Sequence, residues 1–177
     1  GVYPSDIDYG DEYVMRSVPD EWHSAVEVLH EHGYDTKAVL GSSYFRRMTG
    51  AFQGFQSIEH GPEFRPPRSW VVDRAEEHLR TLAAAQTPFV LWLHTFAVHA
   101  PYLWGGLPSR FGTRPIDQYD TEIALMDAEF RRLLDAIHAN NLDDNTVVML
   151  LSDHGEAFGE HGTYYHSRSL YTEEIAA

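Results

Sequence analysis

Two stretches of the chain are apolar at almost every position, and both run into polar loops that carry histidine. They are Phe89-Val90-Leu91-Trp92-Leu93 and Thr146-Val147-Val148-Met149-Leu150-Leu151. A strand with one wet face alternates, so unbroken apolar runs of this length predict strands covered on both faces of a parallel sheet. A third short strand is predicted at Thr36-Lys37-Ala38-Val39-Leu40, ended by Gly41. Helical spacing appears between them. Trp22, Ala25, Val26 and Leu29 follow Asp20 as N-cap and precede Gly33 as terminator, and Val72, Ala75, Leu79 and Leu82 form one stripe behind Ser69. A long helix is predicted from about Tyr119 to Asn140, with Ile123, Met126, Phe130, Leu133, Leu134 and Ile137 buried. Its acidic residues Glu122, Asp127, Glu129 and Asp135 then form the solvated face. Residues 1–16 and 42–67 have no period and read as loop and irregular connection. Helices alternating with strands predict a layered α/β/α fold with a mainly parallel sheet.

Composition narrows the chemistry. The chain has 177 residues, 43% of them hydrophobic, which suits one domain or part of a larger one. It contains no cysteine, which excludes disulfides, thiolate metal sites and a cysteine nucleophile within these residues. The net charge is −14 and Lys37 is the single lysine, so a phosphate-neutralising nucleic-acid surface is not expected. An acid-rich, lysine-poor balance suits a soluble protein of a high-salt cytoplasm, with GC-rich codon bias as the blander explanation. The apolar runs fall far short of the ~20 residues of a membrane span. Gly1-Val2-Tyr3-Pro4 does not open a signal peptide, and without an initiating methionine targeting stays unknown.

Ligands of α/β sheets bind beyond the carboxyl ends of the strands, so the two loops define the candidate site. Asp153 and His154 leave the strand end together, and a carboxylate beside an imidazole is a reasonable half of a divalent-cation shell. The alternative is a capping carboxylate with a loop histidine. His99, just before Ala100-Pro101-Tyr102, could donate a hydrogen bond to an anion or protonate a leaving oxygen; a backbone-bonded loop histidine explains it equally well. His94 fits a packed core residue, and His161 and His166 fit anion ligands, ligands of a second metal, or solvated loop positions. His30 and His32 sit where a helix C-terminus favours a cation.

The same residues resemble the sulfatase family of the alkaline phosphatase superfamily. Pro88 to His94 with His99-Ala100-Pro101-Tyr102 resembles its substrate-histidine block. Tyr119 to Ala136, Asn145 to Val148, Ser152-Asp153-His154-Gly155-Glu156, Gly159-Glu160-His161-Gly162 and Ser169 to Glu174 resemble its terminal metal-site block. The resemblance implies an alkaline-phosphatase-like fold and hydrolysis of a small-molecule or carbohydrate sulfate ester. It implies Asp153 and His154 as ligands of a divalent metal, usually Ca²⁺, with Mn²⁺, Mg²⁺ or Zn²⁺ as alternatives. It places His99 near the leaving oxygen and His166 on the sulfate oxygens.

The family's formylglycine nucleophile arises from a Cys/Ser-x-Pro-x-Arg motif that these residues lack, as they lack the amino-terminal aspartate pair. Leu40-Gly41-Ser42-Ser43 stands where many members have Gly-Lys-x-His. Residues 1–177 are therefore expected to be a partial catalytic domain, without the nucleophile segment and the smaller carboxyl-terminal subdomain, and inactive alone. Two alternatives stay open: a phosphodiesterase, phosphonate hydrolase or phosphoglycerol transferase of the same superfamily, and a non-catalytic binding module.

Overall fold

A computed structural model describes residues 19, 21–47, 50–103 and 106–176. The expected loop over residues 1–16 and the Asp20 cap lie outside the described residues. The chain divides into two compact units, residues 1–97 with 129–141 and residues 98–128 with 142–177.

The first unit is built on a parallel sheet. Strand β1 (Asp35–Leu40) lies between β2 (Ser57–His60) and β3 (Phe89–His94). The register with β3 runs from Asp35 opposite Phe89 to Leu40 opposite His94. Helix α1 (Ala25–Glu31) precedes β1, and its cap is Ser24. The Ser24 hydroxyl accepts from the Glu27 amide at 3.0 Å while the Glu27 carboxylate accepts from the Ser24 amide at 2.7 Å. Reciprocal capping of this kind satisfies two amides that the first helical turn leaves open. The chain leaves α1 through Gly33 at φ +85°, a conformation that costs glycine least.

Helix α2 (Trp70–Ala85) turns Val71, Val72, Ala75, Leu79 and Leu82 inward, all at most 5% exposed. With Ala38, Val39 and Leu40 of β1, and Ile137, they form most of the buried apolar core. Complete burial of each leucine is worth about 2 kcal/mol. The expected stripe on this helix is the observed one.

Strand β2 lies inside the expected irregular connection of residues 42–67. Ser57-Ile58-Glu59-His60 has one aliphatic residue and too little pattern to announce itself; pairing with β1 makes it a strand. Its Glu59 accepts from Arg74 Nε at 2.6 Å and lies 2.7 Å from His78 Nε2. Arg74 foremost, then His78, holds the Glu59 carboxyl below the ordinary carboxylate range.

Strand β3 forms as expected, but it is half-buried rather than covered on both faces, and Trp92 is exposed. Among the described residues β3 has one ladder partner, β1. The expected strand over residues 146–151 departs further. Residues 146–151 join no ladder among the described residues, and Val147, Met149, Leu150 and Leu151 are 74–86% exposed. Apolarity makes a segment fit for a sheet interior, but a strand exists only when a neighbour supplies the opposite hydrogen bonds.

Helix α3 (Pro115–Ala139) begins earlier than expected and contributes to both units. Its apolar stripe is uneven: Ile137 is buried, whereas Ile123 and Leu134 are exposed. In the second unit its buried positions are instead Asp117, Thr121 and Glu122. The second unit also holds the antiparallel pair β4 (Ala157–Phe158) and β5 (Tyr164–Tyr165), and the single turn α4 (Thr172–Ile175).

Candidate active site

The loop that carries His99 is fastened by the polar face of α3. The Leu103 amide donates to Glu122 Oε1 at 2.7 Å, and Glu122 is only 1% exposed. The Arg110 amide donates to Thr121 Oγ1 at 3.0 Å, and the Arg114 amide to Asp117 Oδ2 at 3.0 Å. Asp117 also binds the Arg114 guanidinium, which keeps its carboxyl below the usual range. Periodicity predicts Glu122 on the solvated face; it is buried because the loop amide above it needs an acceptor there.

The loop after Asp153 and His154 is fastened by α4. The Gly155 amide donates to the Glu174 carbonyl at 2.9 Å. The Glu174 carboxylate accepts from Ser169 Oγ at 2.6 Å and from the amides of Arg168 and Ser169 at 2.9 and 3.0 Å. These donors, the Ser169 hydroxyl first, draw its pKa down to about 2. His161 Nδ1 lies 2.7 Å from Glu173 Oε1, and its ring stacks on Tyr171 at 3.8 Å between centroids. His161 is thereby engaged by its own neighbours.

Between these two fastened loops, three histidines meet. The His166 ring lies 4.1 Å from the His154 ring and 5.1 Å from the His99 ring, centroid to centroid. His154 Nδ1 is 2.8 Å from the Gly155 carbonyl oxygen, and His99 Nδ1 is 2.6 Å from the Ala100 carbonyl oxygen. A carbonyl only accepts, so both rings carry their proton on Nδ1. Asp153 is 80% exposed at its side chain, with Oδ1 3.7 Å from His154 Nε2.

Beside the histidines lies a pair whose members fall in the family-like blocks but whose contact no spacing signals. Glu156, its side chain 5% exposed, places Oε1 2.9 Å from His166 Nδ1. Its Oε2 accepts from the Tyr102 hydroxyl at 2.7 Å. Burial, and then the Glu156 carboxylate, pushes the Tyr102 phenol far above its ordinary range, so it remains a donor. Tyr102 and Glu156 are 54 positions apart, and no local pattern signals their contact. His94, by contrast, packs edge-on to Phe45 at 4.4 Å, as expected of a core histidine.

The donor set of Asp153 and His154 fits half of a metal shell. An exposed carboxylate stands beside an imidazole whose Nδ1 is tied to a backbone acceptor, which is how metal-ligating histidines are commonly oriented. Among the described residues no group of three or more His, Asp or Glu side chains could hold a metal ion.

A family model for sulfatases matches residues 1–174. The chain belongs to the sulfatase family. Human iduronate 2-sulfatase is 33% identical over 67 residues, covering 38% of this chain and 12% of that protein. The mouse iduronate 2-sulfatase is 27% identical over 108 residues, covering 59% and 17%. The match thus spans under a fifth of either relative. Among solved structures, the putative sulfatase yidJ from Bacteroides fragilis superposes with TM-score 0.63 at 18% identity, over 85% of this chain and 47% of that one. The lipoteichoic acid synthase LtaP from Listeria monocytogenes superposes with TM-score 0.53 at 17% identity, over 65% and 32%. These two likenesses establish the fold, an α/β architecture on a parallel sheet of which this sulfatase-family chain holds a part. No helix among the described residues is long and apolar enough to cross a membrane.

Proposed function

We propose that this sulfatase-family chain supplies the metal-ligand and anion-binding side of a sulfuric ester hydrolase. The observation that carries the reading is the gathering of His99, His154 and His166 beside Asp153, four residues of the two loops in which the family resemblance resides. Asp153 and His154 would hold a divalent cation, calcium first, with Mn²⁺, Mg²⁺ and Zn²⁺ as alternatives. Such a cation neutralises anionic charge and polarises oxygens bound to it.

The chain's own part follows from charge. A sulfate ester is an anion approaching a protein of net charge −14, so positive or hydrogen-donating groups must be concentrated locally. His166 would bind a sulfate oxygen. His99, in its protonated form, carries an N–H on Nε2 and can give that proton to the departing alkoxide. Tyr102 and Glu156 hold the ring of His166. The Cys/Ser-x-Pro-x-Arg motif from which a formylglycine nucleophile would be made does not occur in these 177 residues. The chain's share of the reaction is therefore binding and proton delivery.

The test uses the protein that carries this chain, loaded with calcium and offered an aryl sulfate and a bis-aryl phosphate in parallel. Sulfate release that falls at least a hundredfold in Asp153→Ala, together with lost metal content, is the expected result. Preferred turnover of the phosphodiester would move the reading to phosphoryl transfer. Metal content and turnover that survive Asp153→Ala would reject the proposed site.

A further inference from the structure

Leu103 stands four positions after His99, in a conformation that a leucine seldom holds. Its φ is +57°, in the left-handed region where a Cβ crowds the backbone. Surrounding contacts must hold the residue there, and both of its backbone groups are engaged. Its carbonyl accepts from the Gly106 amide at 3.1 Å, and its amide donates to Glu122 Oε1 at 2.7 Å. Glu122 is 1% exposed, so water cannot take the place of either partner.

We infer that Glu122 is a positioning residue for proton delivery by His99: it holds the Leu103 amide, and with it the strained turn that fixes where the backbone of His99 runs. The catalytic part of this inference rests on the sulfatase reading above. The loop has another anchor, the Tyr102 hydroxyl on Glu156 at 2.7 Å. That contact lies at the end of a long side chain and lets the backbone pivot, whereas the Leu103 amide is part of the backbone itself. Pro101 lies between His99 and Leu103, and its ring sets its φ, so a displacement at Leu103 is passed on toward His99 instead of being absorbed there. His99 Nδ1 is tied to the Ala100 carbonyl oxygen at 2.6 Å, so its ring turns with the segment that Glu122 holds. A misplacement of about 1 Å is enough to slow a reaction ~100-fold.

The leaving group separates positioning from mere stability. An alkyl sulfate releases an alkoxide that needs a proton, whereas nitrophenyl sulfate releases an anion that is stable without one. In the protein that carries this chain, Glu122→Leu fills the space without supplying an acceptor. Its kcat/KM should fall about 10- to 100-fold for the alkyl sulfate and by less than about threefold for nitrophenyl sulfate. Glu122→Gln keeps an oxygen for the amide and should retain both activities. Hydrogen exchange at the Leu103 amide should be slow in the wild type and in Glu122→Gln, and at least ~10-fold faster in Glu122→Leu. If Glu122→Leu does not fold, Glu122→Asp, one methylene short of the amide, should show the same selective loss in smaller measure. No loss, an equal loss on both sulfates, a loss in Glu122→Gln as large as in Glu122→Leu, or exchange at Leu103 indifferent to Glu122 overturns the inference. A wild type that turns over neither sulfate rejects the sulfatase reading and the catalytic part with it, while exchange at Leu103 still decides whether Glu122 holds the turn.

Discussion

Glu174 shows how much one carboxylate can organise. Three of its donors come from Arg168 and Ser169, in the loop that carries His166, and with the Thr163 side chain they hold its pKa at about 2. A carboxyl depressed in the folded state contributes stability that is complete above the ordinary value near 4.5 and disappears as the pH falls through the folded value. Wild type should therefore melt several degrees above Glu174→Gln at pH 7, and the gap should close between pH 4.5 and 2. Thermal unfolding of both proteins across that range checks this; a gap independent of pH would mean that the carboxylate charge is not what holds the loop. Nothing in the sequence singles out this residue, because its importance lies in which backbone amides surround it.

At the scale of elements, the candidate site depends on short segments lying close to one another. Gly155 follows His154, and a Cβ added to it would collide with the Glu173 carbonyl oxygen and lie 2.9 Å from that of Ala176. Backbone cannot yield as a flexible side chain can. Gly155→Ala should push α4 away, lengthen the bond from the Gly155 amide to Glu174, and destabilise the fold by about 1–3 kcal/mol. Denaturant unfolding measures the loss, and amide exchange at residues 155 and 174–176 locates it. A change under ~0.5 kcal/mol would show that the contact is slack. Close approach of another segment is what requires a glycine here. Helix α3 teaches a similar lesson, since periodicity puts Glu122 outside and the Leu103 amide draws it in.

For the molecule as a whole, net charge is the property that salt adjusts most. Twenty-seven acidic and thirteen basic side chains repel on balance, and the ion pairs of Arg132 with Asp73, Glu76 and Glu129 offset this only locally. Raising the ionic strength from about 0.01 M to about 0.15 M shortens the screening length from about 30 Å to about 8 Å. The melting temperature should rise over that interval, because repulsion between like charges reaches further than the surface pairs do. Calorimetry in a NaCl series checks it; a falling midpoint would mean that the ion pairs outweigh the net charge.

The chain by itself determined what is local: the stripe of α2, the strands β1 and β3, the glycine that ends α1, and, through ordered motifs, the family. Periodicity and motif are properties of neighbours in sequence, and these features need nothing more. Tertiary structure decided the rest. It made a strand of Ser57–His60, left residues 146–151 without a ladder among the described residues, buried Glu122, and brought Glu156 between Tyr102 and His166. Each of those outcomes turns on a hydrogen-bond partner or a covering surface supplied from elsewhere in the chain, and a polar side chain is tolerated inside wherever the fold happens to bring it one.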